Sequence, residues 1–488
     1  MPSTPFSPTR RGLMVGAAGL AGAAAAPALS APAAGSPRWV STSRAAAWSD
    51  RSTSLSKLAA GPTLEADVAL LSDQTFQTIE GFGACFNELG ATALARLSAT
   101  DRAAVLREFF SPEGGLGLTY CRMPVGANDF STDWYSYNEI AGDFAMANFS
   151  IAKDREHLLP FVKSALALQP NLKLWASPWS PPTWMKRNKH YAMRPNSPGW
   201  PANNLRPDQA GREGEDMFIQ EEAYFRAYAL YFSKFIEAYR AEGVKISMVM
   251  PQNEFNSVQP FPSCCWTPEG LARFIPYLGA EMGPAGVEIF FGTLERGDPL
   301  LLEKVLQDPQ AGPLIRGVGA QWAGKNAVTP IHYLHPDLKL FQTEQECGDG
   351  KNDWRYARYT WTLMKTYFGA GASVYQYWNM ALLDGGVSRW GWAQNSLVTV
   401  DGTRQTLRYT NDYYVFKHLS HFVKPGAVRI RALSYTGYEN MLAFKNPDGS
   451  TIVVVQNDLS TDLPVKFGLD GAVYAATLPA DSFNTLVL

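Results

Sequence analysis

The sequence predicts an α/β protein: a closed (β/α)8 TIM barrel with an attached antiparallel β domain. Three observations predict it. From Thr78 onward, short apolar runs alternate with amphipathic stretches of helical period, and eight such units follow one another. That alternation calls for a parallel sheet, and eight repeats of it close a barrel. From about Leu407 the rhythm changes, and MLAFKNPDGSTIVVVQNDLS shows strand alternation around an Asp-Gly turn, a hairpin signature. Before the barrel, Ser36 to Asp73 is short and mixed. It is expected to add strands to the β domain, so that barrel and domain share a wall.

Taken in order, residues 1–35 are a targeting segment. Thr9 to Met14 (TRRGLM) sets paired arginines before the Ala- and Gly-rich run Leu13 to Ala31. This run is too weakly apolar for a membrane span and fits a twin-arginine export signal cut near Ala31 to Ala34. The mature chain is therefore expected to be periplasmic or extracellular, without stable membrane insertion. Residues 36–75 are the strands that join the β domain, 76–406 the barrel and 407–488 the β domain. The barrel strands are TIEGFGACF, LTYCRMPVG, LKLWASPW, ISMVMPQNE, VEIFFGTLE, RGVGAQW, LKLFQTEQE and ASVYQYWNM. Helices between them include ATDRAAVLREFF, DREHLLPFVKSALAL, EEAYFRAYALYFSKFIEAYRAEG, TPEGLARFIPYLGAEM and DWRYARYTWTLMKTYF, several opening on a capping Thr or Asp. One connection is long, polar and rich in Pro, Asn and Gly: Arg187 to Glu215, after the third strand. A loop of that kind at a strand's C-terminal end hangs over the mouth where barrels hold their sites.

The strand ends carry the chemistry. They place Glu80 and Glu88 around the first strand, Asp129 after the second, and Trp179 and Trp184 after the third. Asn253 and Glu254 end the fourth, Gln321 and Trp322 the sixth, Glu344 and Glu346 the seventh, and Trp378 and Asn379 the eighth. Carboxylates among indoles suit sugar chemistry: aromatic faces stack on pyranose rings, and two carboxylates supply an acid and a nucleophile. Strands four and seven stand across the barrel, so carboxylates reaching inward from them can meet. Alternation cannot choose between Glu344 and Glu346, which share parity.

MVMPQNEF, with EGFGACFNE, RMPVGANDFS, LWASPWSPPTWMK and LFQTEQECG in this order, resembles glycoside hydrolase family 30, the glucosylceramidase-like members of clan A. The resemblance runs from about Thr78 to the C-terminus. It implies a barrel with a side β-sandwich and a retaining β-glycosidase. It implies Glu254 as acid/base and Glu344 as nucleophile, Asn253 on the sugar 2-hydroxyl, and Asp129, Trp179 and Trp378 in the glycone pocket. Glu346 is then a supporting carboxylate. Phe261 and Trp322 are further substrate-binding candidates; like Trp184 and Trp390, they stand between core and subsite. The chain departs from the pattern at Gln321, where relatives carry His, and at Trp392, where some carry Asn; both bear on which sugar is bound.

Composition excludes other classes. Lys+Arg 43 against Asp+Glu 45, with no basic run, leaves no surface for nucleic acid. Five scattered cysteines form neither a disulfide framework nor a metal site and are read as buried thiols. HYLH (His332 to His335) and HLSH (His418 to His421) lack accompanying carboxylates and are read as structural, as are Glu80 and Glu88. No cofactor is expected. The expected partner is a carbohydrate or glycoconjugate. On the same machinery, glucosylceramidase, β-1,6-glucanase, β-xylosidase and β-fucosidase remain open, and outside enzymes a silent carbohydrate-binding protein.

Overall fold

The computed structural model describes residues 36–58 and 66–488; the segment read as an export signal lies outside the described residues. The first strands are β1 (Arg38–Ser43), β2 (Ser49–Asp50), β3 (Ser56–Leu58) and β4 (Val68–Thr78). β4 leads into the barrel strands β5 (Gly81–Cys85), β6 (Tyr120–Pro124), β7 (Lys173–Ser177), β8 (Met248–Val249), β9 (Glu288–Leu294), β10 (Ile315–Gln321), β11 (Lys339–Glu344) and β12 (Val374–Asn379). All eight pair in parallel and close on themselves, β12 returning to β5. Seven of the eight fall within the predicted runs, and β10 starts one residue before its run, at Ile315.

Around the barrel lie α1 (Glu88–Leu94), α2 (Ala99–Phe110), α3 (Leu158–Leu168), α4 (Glu222–Ala241), α5 (Pro268–Ala285), α6 (Leu300–Leu306), α7 (Val328–Leu334) and α8 (Trp354–Gly369). The Ser98 side chain caps α2, Thr267 caps α5 and Asp353 caps α8, each accepting from a first-turn backbone N–H, which satisfies one of the otherwise orphaned donors. The change of rhythm at Leu407 falls in a small sheet of β13 (Ala381–Leu383), β14 (Val398–Asp401) and β15 (Thr406–Tyr409), followed by α9 (Asn411–Ser420). The strands β16 (Val428–Ser434), β17 (Met441–Lys445), β18 (Thr451–Asn457), β19 (Leu463–Leu469), β20 (Ala472–Leu478) and β21 (Ser482–Val487) then join β1–β4 in one ten-stranded sheet, ordered β2-β1-β21-β18-β17-β16-β4-β19-β20-β3.

That sheet has two buried faces, and the sequence alternates accordingly. On β18, Ile452 and Val454 pack into the barrel's helical core, while Val453 and Val455 pack with Trp39, Val68 and Phe467 inside the curled sheet. Alternate residues serving opposite faces is the strand period at work. Inside the barrel, Tyr120, Trp175, Met248, Met250, Phe290, Phe341 and Val374 form a separate apolar plug. The barrel is thus a filled core, and a ligand can enter only above it.

Glu80 departs from its expected place. It precedes β5 and pairs with Lys339 (3.3 Å) and Lys173 (3.8 Å), at the N-terminal end of the barrel. Glu88 is buried, and its Oε2 accepts from the Thr132 backbone N–H (2.8 Å) and hydroxyl (3.1 Å). All five cysteines are buried free thiols.

Candidate active site

Above the plug the strands present polar side chains, and Arg122 on β6 organises them. Its guanidinium is wholly buried, which is tolerable only because it is paired and hydrogen-bonded. Nη1 donates to Glu344 Oε2 (3.0 Å) and the Thr343 carbonyl (3.0 Å); Nη2 donates to Asn253 Oδ1 (2.7 Å) and Ser177 Oγ (2.9 Å). Its Cζ lies over the rings of Trp179 (4.4 Å), Trp175 (4.8 Å) and Trp378 (5.2 Å). The cation therefore fixes strands two, three, four and seven at once.

Over this layer opens a cavity of about 420 Å³, lined among others by Asp129, Trp179, Asn253, Glu254, Phe261, Trp322, Glu344 and Glu346. Glu254 and Glu344 face each other in it. One amide, Gln321 Nε2, lies 3.2 Å from Glu254 Oε1 and 3.2 Å from Glu344 Oε2. Those two oxygens can be no further apart than twice that distance. Glu254 Oε2 also accepts from Gln259 (3.1 Å), and Glu344 Oε1 accepts from the Trp322 indole (3.1 Å). Asn253 Oδ1 accepts from Arg122, Gln321 (3.2 Å) and Thr293 (3.2 Å). Its oxygen is saturated, so its NH2 is the group left for a ligand.

The backbone aims these groups. Pairing of β10 with β11 slips by one residue after Ala320, so that Gln321 sits opposite Glu344 instead of Thr343. Bulges of this kind re-aim side chains beside active sites. Glu254 (φ 43°) and Trp322 (φ 48°) hold left-handed backbone conformations that non-glycine residues adopt at a cost and that cluster at functional sites.

Burial raises the pKa of both glutamates, and each charge opposes the other. For Glu344, the Arg122 cation and the Trp322 and Gln321 donors pull back toward the charged form. Glu254 has amide donors and more distant cations. The direct ion pair with Arg122 gives Glu344 the closer cation of the two, although burial still leaves its pKa raised, to about 7. Asp129 is raised by burial and then by both glutamates.

The floor carries unused polar groups. Asp129 Oδ1, on the cavity lining, is buried without a hydrogen-bond partner, a deficit that a ligand's hydroxyl would remove; Trp378 Nε1 also lacks one, but Trp378 is fully buried and does not line the cavity. Trp378 itself stacks on Trp179 at 5.3 Å. Trp184 is elsewhere: its indole donates to the Asn138 carbonyl (3.0 Å), and its ring meets Phe144 and Tyr224. Glu346 accepts from Lys325 (2.7 Å) and Tyr359 (2.8 Å), so it is held on the cavity wall in its own pair. Sequence reasoning missed Arg122 and Glu295. Arg122 had a readable signal, a lone cation in the apolar run TYCRMPV. Glu295, buried beside the cavity, had only its position at the end of β9.

A (β/α)8 barrel whose mouth holds two facing carboxylates among indoles defines a glycoside hydrolase, and comparison with known proteins specifies which. The glycosyl hydrolase family 30 TIM-barrel domain matches residues 79–423, and the family's β-sandwich domain matches 426–486. The chain belongs to glycoside hydrolase family 30 and is an O-glycosyl hydrolase. It is 30% identical over 466 residues to a Caenorhabditis elegans protein named "Putative glucosylceramidase 1", covering 86% of this chain and 82% of that one. It is 27% identical over 432 residues to an endo-1,6-β-D-glucanase of Aspergillus fumigatus, covering 84% and 85%. Its fold resembles the crystal structure of SrfJ from Salmonella typhimurium with a TM-score of 0.80 and 25% identity, covering 93% of this chain and 99% of that one.

Proposed function

We propose that the protein is a retaining β-glycosidase acting on β-D-glucosides by double displacement. The observation that carries this is the single Gln321 amide reaching both carboxylates. It keeps one oxygen of each carboxylate within twice 3.2 Å of the other, which supports the closer spacing of a retaining pair over the wider spacing of an inverting one. In the first step a Glu344 oxygen attacks the anomeric carbon, the glycosidic C–O bond breaks, and Glu254 gives its proton to the leaving oxygen. In the second, Glu254, now a carboxylate, takes a proton from water, whose oxygen displaces Glu344. The free NH2 of Asn253 meets the 2-hydroxyl, and Asp129 takes a hydroxyl at the floor. The relatives' names, a glucosylceramidase and a β-1,6-glucanase, support a glucosyl glycone.

The test is chemical rescue. Glu254→Ala should still cleave a dinitrophenyl β-glucoside, whose leaving group needs no acid, and azide should accelerate its turnover and yield a β-glucosyl azide. Glu344→Gly should yield an α-glucosyl azide. The opposite pairing of variant and anomer would reverse the two roles.

A further inference from the structure

The cavity does not end at the two glutamates. Three indoles lead outward from Glu344. Trp322 donates to its carboxylate and lines the cavity. Trp392 also lines the cavity, with its ring 6.4 Å from that of Trp322. Trp200, from the long loop after the third strand, has its ring 6.2 Å from that of Trp392. Trp322 and Trp392 are partly exposed, and Trp200 is 37% exposed. An indole left in water at that level, continuous with a binding cavity, is a surface waiting for a partner.

The loop is built to hold it there. Asn196 Nδ2 donates to the carbonyls of Trp390 and Pro201, 2.8 Å each, which ties the segment before Trp200 to the one carrying Trp392. The Trp200 ring lies against Gly391, where a Cβ would come within 3.0 Å of it. Gly391 also has φ +86°, so the contact requires glycine twice over.

The surroundings say what the row would bind. Glu213 pairs with Arg296, and Lys325 with Glu346, at the same mouth. Laying an alkyl chain across such pairs would desolvate charge without return. A sugar ring offers an apolar face to indole and hydroxyls to the charges.

Resting on the retaining β-glucosidase reading, we propose that Trp322, Trp392 and Trp200 form leaving-group subsites for the second and third units of a β-glucan chain, so that the natural leaving group is a sugar and not a lipid. Trp322 and Trp392 hold the second unit beside Glu254, and Trp200 holds the third.

The test uses Glu344→Gln to suppress turnover, with calorimetric binding of β-1,6-, β-1,3- and β-1,4-linked gluco-oligosaccharides of two to four units. In at least one series, affinity should rise about fivefold or more for the unit that reaches Trp200. Adding Trp200→Ala should abolish that gain, and Trp200→Phe, which keeps a stacking face, should restore most of it. Affinity independent of length in all three series would overturn the subsites. So would a length gain that survives Trp200→Ala, or a Trp200→Ala loss confined to octyl β-glucoside. Hydrolysis of the oligosaccharides at the wild-type rate by Glu344→Gln would instead defeat the underlying assignment of the nucleophile.

Discussion

Arg122 and Glu295 show how single residues set the chemistry. Arg122 pulls Glu344 back toward the charged form in a place where burial favours the neutral acid, and it does so from inside the barrel wall. Glu295 has a more distant cation: Arg296 Nη1 is 3.7 Å from Oε1, and Oε2 has no partner. Burial, then the nearby Glu254, pushes its pKa up to about 8. The folded state thus holds a proton that the unfolded chain releases near 4.5. Its contribution to stability is complete below about pH 4.5 and is lost as pH rises toward 8. Glu295→Gln cannot titrate, so its melting temperature should fall less between pH 5 and pH 8 than that of the wild type; scanning calorimetry at both values would show equal falls if Glu295 were ordinary. Arg122 left a signal in the sequence, a cation in an apolar strand, that the sequence reading did not take up. The pairing of Glu254 with Glu344 was legible only through the family resemblance, since strand parity left Glu346 equally placed.

At the scale of elements, the bulge between β10 and β11 is the least legible and most consequential feature. Nothing in RGVGAQW marks a slip in register, yet the slip puts Gln321 opposite Glu344. Gln321 lowers the pKa of both glutamates by donating to each. Gln321→Ala should therefore move both limbs of the pH–rate profile upward, and should cost about 10–100-fold in kcat/KM for loss of a buried donor. An unmoved profile with a lower rate would assign Gln321 to packing alone. The helices were far easier to read: ATDRAAVLREFF is α2 from first residue to last, because cap and period agree. The short β8 and the displaced Glu80 were harder. β8 has two residues, and an acidic residue beside a strand does not announce which end it occupies.

At the scale of the whole molecule, α9 joins barrel to sheet. His418 is fully buried between Thr485 Oγ1 (2.8 Å) and Thr42 Oγ1 (2.9 Å), on strands from opposite ends of the chain. Burial, then Lys417 and His421, holds its pKa down at about 3. Its contribution is complete above about pH 6.5 and is lost as pH falls toward 3, opposite in sign to Glu295. The two together place greatest stability between about pH 4.5 and 6.5. His418→Ala should cost about 2–4 kcal/mol through the cavity and the two lost bonds, and should lessen the acid sensitivity measured by denaturant unfolding at pH 4 and 6. Unchanged stability would separate barrel and sheet energetically. The shared wall was legible because Ser36 to Asp73 had no place in the barrel rhythm; the histidine clamp was not, since it depends on strands that meet only in the fold.

The barrel and the glutamate pair are tested together by the stereochemistry of the first product. If Glu254 and Glu344, reaching inward from strands four and seven, act as the proposed retaining pair, two displacements at one carbon restore its configuration. Proton NMR of early hydrolysis of a β-glucoside should show the β-anomer of glucose first, with the α-anomer appearing only as mutarotation proceeds. An initial α-anomer would contradict the account.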